Sequence, residues 1–306
     1  MLLCVLTGLA GFTLVGVQWF SDSVQTIFSG KVSASTYQTQ DLAVASLTSN
    51  NQVFVKITSE IDATAALSVE VINDVPSTLF AKNSQKRLPV ASLTKFMTAL
   101  LILERENMNE DVVISQHAMA EAGEQGSLKL GETLSVRNLL YIMLIESSNR
   151  ASYALAEVVG VGQFVEAMNT RAEELGMVNT RFADASGLSS NSYSTAEDLA
   201  ILSKYLFEHF PLFREIISIK EYNLYTHGTF HHKLVNTNKL LDMDGIVGGK
   251  TGWTDEAKGC FLAIERDGFS RNYFIHIILG ANDRFLEMEK LIRLTSRLSR
   301  GEARPI

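Results

Sequence analysis

Three short stretches carry side chains that can do chemistry together: Ser92-Leu93-Thr94-Lys95, Ser147-Ser148-Asn149 and Lys250-Thr251-Gly252. A serine hydroxyl is a weak nucleophile until a base takes its proton. Residues three apart on a helix share a face, so Ser92 and Lys95 would meet side by side. Ser92 at a helix N-terminus would also bring a backbone N–H to the reaction centre, where the helix dipole favours developing negative charge. Lys95 is a base only if its pKa falls toward neutrality, and burial or a second cation would each push it that way. The residues that follow, Phe96 to Leu103, are apolar nearly all round and predict a buried helix. A lysine there must be paired or neutralised. Lys250 is the natural second cation.

Taken singly, the stretches have bland explanations. A helix-capping serine with an incidental lysine would give the first, and a turn or cap would give the second. In this order and spread they form the signature of acyl transfer to serine with a lysine base. The Ser147 hydroxyl would pass a proton to a departing amine, and the Asn149 amide would both donate to and accept from a peptide-like substrate. Lys250 and Thr251 would bind a substrate carboxylate, and Gly252 would let the backbone approach closely. A phosphate-loop reading of Gly249-Lys250-Thr251 fails, because its first glycine would fall on Asp244. Neither a Gly-x-Ser-x-Gly elbow nor a His-Glu-x-x-His pair occurs. His231-His232 is read as a polar strand pair rather than as ligands, and no metal or other cofactor is called for.

The elements that must position these groups are legible in part. Residues 65–71 alternate with period two and predict a strand, 73–77 a turn, and 78–81 a second strand. The buried helix is predicted to begin at about Ser92. From residue 107 to 205 the pattern is helical, including 136–159 and 163–175, with Gly176 closing the latter. Residues 245–252, 259–266 and 273–280 predict three strands with tight turns such as Asp267-Gly268. A final helix over 283–298 carries Phe285, Met288, Leu291, Ile292 and Leu298 on one stripe, expected to pack on the sheet. Strands thus flank a helical insert. The fold class is α+β: an antiparallel sheet built from both ends of the domain, flanked by helices, with a mostly helical lobe between.

The chain has 306 residues, 46% of them hydrophobic and 20% charged, enough for one large domain or two joined subdomains. A net charge of −7 without a basic run excludes a nucleic-acid binder. Cys4 and Cys260 are too few and too far apart for a disulfide framework. Residues 1–20 are apolar and precede a polar, Ser/Thr/Gln-rich linker that runs to about residue 60, so the expected organisation is an N-terminal signal or anchor segment, a linker, and a catalytic domain over 61–300. Val32-Ser33-Ala34 resembles a cleavage site but lies far past the apolar run, so an uncleaved membrane anchor is expected, with export in either case.

At the three motifs the chain resembles the low-molecular-mass penicillin-binding proteins, the D-alanyl-D-alanine carboxypeptidase family of serine peptidases. The resemblance covers about residues 65–292. It extends to Ser186-Gly187-Leu188, to Ser194-Thr195-Ala196-Glu197-Asp198-Leu199-Ala200, to Asn236-Thr237-Asn238-Lys239-Leu240-Leu241 and to Gly249-Lys250-Thr251-Gly252-Trp253-Thr254. It implies Ser92 as the acylated nucleophile, Lys95 as base, Ser147 as proton relay and Asn149 as substrate clamp. Lys250 and Thr251 would hold the terminal carboxylate, and the N–H groups of Ser92 and Trp253 would form the oxyanion hole. Arg284 resembles the supporting arginine near the carboxylate; a surface ion pair is its alternative.

The implied activity is a D-Ala-D-Ala carboxypeptidase acting on peptidoglycan stem peptides and acylated by β-lactams. Two departures qualify it. The family's carboxypeptidases usually carry a second, β-rich domain and an amphipathic C-terminal anchor, whereas this chain stops at Ile306, so the N-terminal segment is expected to replace that anchor. Arg150 stands where an acidic residue often follows the motif's Asn, and this compact form also resembles the family's endopeptidases. A class A β-lactamase is disfavoured, because Glu166-Ala167-Met168-Asn169 is not the expected Glu-x-x-Leu-Asn. A non-catalytic sensor would have no use for a buried base.

Overall fold

The computed structural model describes residues 60–105, 107–123, 125–266 and 272–299. The apolar N-terminal segment, the linker up to residue 59 and the Asp267-Gly268 turn lie outside them.

Alternating side chains build the central sheet. Strands β1 (Ala63–Ile72), β2 (Val75–Lys82), β7 (Ile246–Thr254), β8 (Lys258–Arg266) and β9 (Tyr273–Ala281) are ordered β2-β1-β9-β8-β7, all antiparallel. Leu67, Val69, Leu262, Ile275 and Ile277 point to one face and join the core of the helical lobe. Their neighbours Ala66, Phe261, Ala263 and Ile278 point to the other face and meet Met288, Leu291 and Ile292. Those three belong to helix α8 (Arg284–Ser299), so the predicted stripe does pack on the sheet. The turn between β1 and β2 is shorter than the 73–77 cluster suggests. Asn73 and Asp74, at φ 50° and 67°, make a two-residue turn, and the strand resumes at Val75. Pro76 is tolerated because β2 is an edge strand.

The lobe gathers around one helix. Helix α1 (Lys95–Leu103) buries Phe96, Met97, Thr98, Ala99, Leu100 and Ile102. Each fully buried Leu or Phe of this kind contributes about 2 kcal/mol. Around it pack α3 (Val136–Ile145), α4 (Asn149–Glu157), α5 (Val161–Glu174) and α6 (Ala196–His209), following the short α2 (Gln116–Ala120). Phe96 also meets Phe213 of α7 (Pro211–Ser218) edge-on, with centroids 4.9 Å apart. Gly176, at φ 79°, ends α5 as its sequence position suggests.

The structure corrects or refines the expected elements at three places. First, the helix is preceded by a 3-10 turn, Ala91–Thr94, so Ser92 lies in that turn and the α-helix starts at Lys95. Second, the helical stretch 136–159 is two helices, α3 and α4, with Ser147 and Ser148 in the break between them, as expected of a motif between two helical runs. Ser147 takes φ 65°, and the Ser148 side chain accepts from the Ala151 N–H at 3.2 Å, restarting the helix. The expected helical stretch 107–205 also contains two short paired strands, β3 (Asp111–Val113) and β4 (Thr133–Ser135). Third, a hairpin of β5 (Glu221–Thr226) and β6 (Thr229–Val235) lies where only a His231-His232 strand pair was expected. A bulge beside Tyr225 leaves His231 without a register partner and turns it beside His232. The two rings face Glu132 and Glu146 respectively.

Candidate active site

Ser92 and Lys95 occupy the junction of the 3-10 turn and α1. In a 3-10 turn residues three apart eclipse, so the Ser–Lys pair is aligned more tightly than on an α-helix. Lys95 Nζ lies 2.9 Å from Ser92 Oγ, 2.7 Å from Asn149 Oδ1 and 2.8 Å from the Ser186 carbonyl. Asn149 opens α4, and its Nδ2 donates to the Ala122 carbonyl at 2.8 Å, which fixes Oδ1 toward the lysine. Ser147 is half-buried in the break two residues earlier.

An ammonium could donate to all three partners, so what valence counting fixes is where the lone pair goes once the amine is neutral. Asn149 Oδ1 and the Ser186 carbonyl only accept, so each must take an N–H from Lys95. A neutral amine has two N–H bonds and one lone pair. The lone pair is then left for Ser92, the one partner of the three that can donate. Lys95 is fully buried, and burial favours that neutral state, lowering its pKa from the ordinary 10.5 to about 7 against the opposing pull of Asp184 and Glu121. Lys250, only 1% exposed, is also lowered, first by burial and then by the positive charges of Lys95 and Arg284. A proton on Lys95 thus disfavours one on Lys250.

Strand β7 closes the other side. A Cβ placed on Gly252 would stand 2.9 Å from the Ser92 amide nitrogen and 3.0 Å from the Ala91 Cβ, so only glycine lets the strand come this near. Thr251, buried, donates its hydroxyl to Thr237 Oγ1 at 2.8 Å, and the Thr237 N–H is held by the Ile145 carbonyl at the end of α3. Trp253 is 56% exposed at the rim. Arg284 packs its Cβ 3.0 Å from where a Cβ on Gly259 would lie, at the start of β8. Its Nε is buried without a hydrogen-bond partner among the described residues, so the surface ion-pair alternative does not describe this nitrogen.

The structure thus brings Ser92, Lys95, Asn149 and Gly252 into one contact group. Lys250 lies close enough to Lys95 and Arg284 for their charges to matter. Side-chain motifs did not reveal the Ser186 carbonyl, the Asp184 carboxylate behind it, or Thr237. A backbone carbonyl has no residue-type signature, and Ser186 and Thr237 stood out only as parts of the resemblance.

A model of the D-alanyl-D-alanine carboxypeptidase family of serine peptidases (Peptidase_S11) matches residues 50–283. The chain belongs to this family. It is 37% identical over 236 residues to D-alanyl-D-alanine carboxypeptidase DacF of Bacillus subtilis, a match covering 74% of this chain and 60% of that protein. It is 31% identical over 237 residues to a D-alanyl-D-alanine endopeptidase of Pseudomonas aeruginosa, covering 74% of this chain and 75% of that one. Among solved structures, penicillin-binding protein D2 of Listeria monocytogenes with ampicillin bound superposes with a TM-score of 0.69 at 33% identity, covering 77% of this chain and 98% of that one. The family's carboxypeptidase and endopeptidase branches are thus both represented among its relatives. The α+β architecture expected from the sequence is the fold these proteins share.

Proposed function

We propose that the protein is a serine-type D-Ala-D-Ala carboxypeptidase acting on peptidoglycan stem peptides. The observation that carries this reading is the buried Lys95 amine, lowered by burial to about 7 and 2.9 Å from Ser92 Oγ. Lys95 takes the hydroxyl proton as Ser92 Oγ attacks the D-Ala-D-Ala carbonyl, and the Ser92 and Trp253 N–H groups bear the oxyanion. The amide C–N bond breaks as the proton on Lys95 passes through the Ser147 hydroxyl to the departing nitrogen, leaving both side chains neutral, and D-alanine leaves. Water then hydrolyses the ester, restoring the serine.

The substrate's terminal carboxylate is placed against Lys250, Thr251 and Arg284. Its negative charge would restore the proton of Lys250, and a charged Lys250 would in turn hold Lys95 neutral, so binding itself would prime the base. β-Lactams present the same carboxylate beside a strained amide and acylate Ser92; the ampicillin-bound Listeria relative supports this. Among the described residues no helix is long and apolar enough to cross a membrane. The apolar segment of residues 1–20 is proposed as the anchor that holds the enzyme at the cell envelope, outside the cytoplasm.

A second reading, cleavage of cross-links by a DD-endopeptidase, is favoured by the similarity to the Pseudomonas endopeptidase and by Arg150 after the motif's Asn. Incubation with stem pentapeptide and with cross-linked dimer separates the two. Free D-alanine from the pentapeptide is expected. Dimer cleavage without it would transfer the assignment to the endopeptidase.

A further inference from the structure

Nothing in the Ser92–Lys95 pair alone makes the lone pair face the serine; its direction follows from where the two N–H bonds are anchored. One anchor, Asn149, is held by the Ala122 carbonyl. The other is the carbonyl of Ser186, on a loop with no regular structure of its own. What winds that loop is a single carboxylate. Asp184 Oδ1 accepts from the Ser186 N–H at 2.6 Å, the Ser186 hydroxyl at 2.8 Å, the Gly187 N–H at 2.5 Å and the Leu188 N–H at 3.3 Å. Its Oδ2 accepts from the Ser189 N–H at 2.6 Å. Four consecutive amides thus converge on one side chain.

Two further contacts press this turn against the nucleophile's own turn. Gly187 has φ 85°, and a Cβ there would stand 1.9 Å from the Ala91 carbonyl oxygen, which leaves room for glycine alone. The Thr98 hydroxyl of α1 donates to the Ala185 carbonyl at 2.6 Å. The turn is therefore tied to the helix that bears Lys95 on one side and to the residue before Ser92 on the other.

We propose that Asp184 is the positioning residue of the base: its carboxylate shapes residues 184–189 so that the Ser186 carbonyl holds Lys95 with its lone pair toward Ser92. This rests on the reading of Lys95 as base. Burial works against the Asp184 charge, but its hydrogen bonds outweigh that and hold the carboxyl below its usual range, so it is ionised wherever the enzyme works. The charge acts on Lys95 as well, opposing burial together with Glu121, while the other buried amine nearby, Lys250, is itself lowered by burial and by Lys95.

The test is the rate of Ser92 acylation by a fluorescent penicillin, measured on the full chain across pH for the parent, Asp184→Asn and Thr98→Val. Asp184→Asn keeps the acceptor Oδ1 but loses the charge and sets an amide against the Ser189 N–H. Its maximal acylation rate is expected to fall about tenfold to a hundredfold, with the half-saturating penicillin concentration little changed. Its rising limb should move to lower pH, because a negative charge that favoured protonated Lys95 is gone. That shift follows from the charge alone, so positioning is read from the fall in maximal rate in a variant that melts near the parent, and from Thr98→Val. Thr98→Val loosens the same turn without altering charge, so it should slow acylation by a smaller factor with the limb unmoved.

An Asp184→Asn protein that melts near the parent and acylates at the parent's maximal rate overturns the proposal. Should that variant not fold, a Thr98→Val protein acylating at the parent's rate overturns it instead. A parent that takes no label at Ser92 defeats the underlying site reading, and that result appears before any substitution is made.

Discussion

At the scale of single residues, the site is a problem in counting donors and acceptors. Lys95 has three polar neighbours, two of which only accept, and a neutral amine satisfies all three with its lone pair on Ser92. Replacing Lys95 with Met keeps the volume and the buried helix but removes the base. Acylation of Lys95→Met is expected to fall by about a hundredfold to ten-thousandfold while the circular-dichroism spectrum stays that of the parent. Acylation at the parent's rate would remove Lys95 from the chemistry. The side chains of this pair were legible in the sequence because a lysine within an apolar run demands a reason. The Ser186 carbonyl and the Asp184 turn were not, since their contribution lies in backbone direction rather than in residue type.

At the scale of elements, the site is assembled where three segments end. The 3-10 turn Ala91–Thr94 delivers Ser92, the break between α3 and α4 delivers Asn149, and β7 runs past both. The strand can approach only because residue 252 has no side chain. Gly252→Ala would set a methyl 2.9 Å from the Ser92 nitrogen, forcing β7 or the turn to shift. The expected outcome is acylation slowed by at least about tenfold, with about 1–3 kcal/mol lost in urea denaturation. The break at Glu146–Ser148 was legible only as a motif between two helical runs, not by its ends, because apolar periodicity runs on across so short a gap of three residues. Ser148 is what restarts the helix. Ser148→Ala should cost about 1 kcal/mol, checked by urea denaturation, because the cap of α4 is lost. An unchanged midpoint would mean that the break is held by something other than that cap.

At the scale of the whole molecule, the sheet separates two cores, and the site lies at the edge where β7 meets the lobe. Both cores were legible, since the strands alternate and α8 carries a continuous stripe. The β5–β6 hairpin was not, because among its residues only Leu224 and Leu234 are buried, too few to set a period. The lobe also bears a thermodynamic cost for its base. An unfolded chain keeps the Lys95 proton up to about 10.5, whereas the folded one releases it near 7. Between these values the unfolded state binds more protons, so folding gains stability as pH rises, by about 1.4 kcal/mol per unit from this group. Urea denaturation of the parent and of Lys95→Met near neutrality and about two units higher should show the parent gaining about 2 kcal/mol relative to the variant. A constant difference would mean that the lysine is buried charged.

The most direct measurement of the central claim is the pH dependence of penicillin acylation at Ser92, followed by mass spectrometry with the modified peptide mapped. Loss of a proton from Lys95 creates the base, so the rate should be low in acid, rise through about 7 and level off above it. A rate that climbs only near the pKa of an ordinary exposed lysine, or an adduct on a residue other than Ser92, would contradict the account.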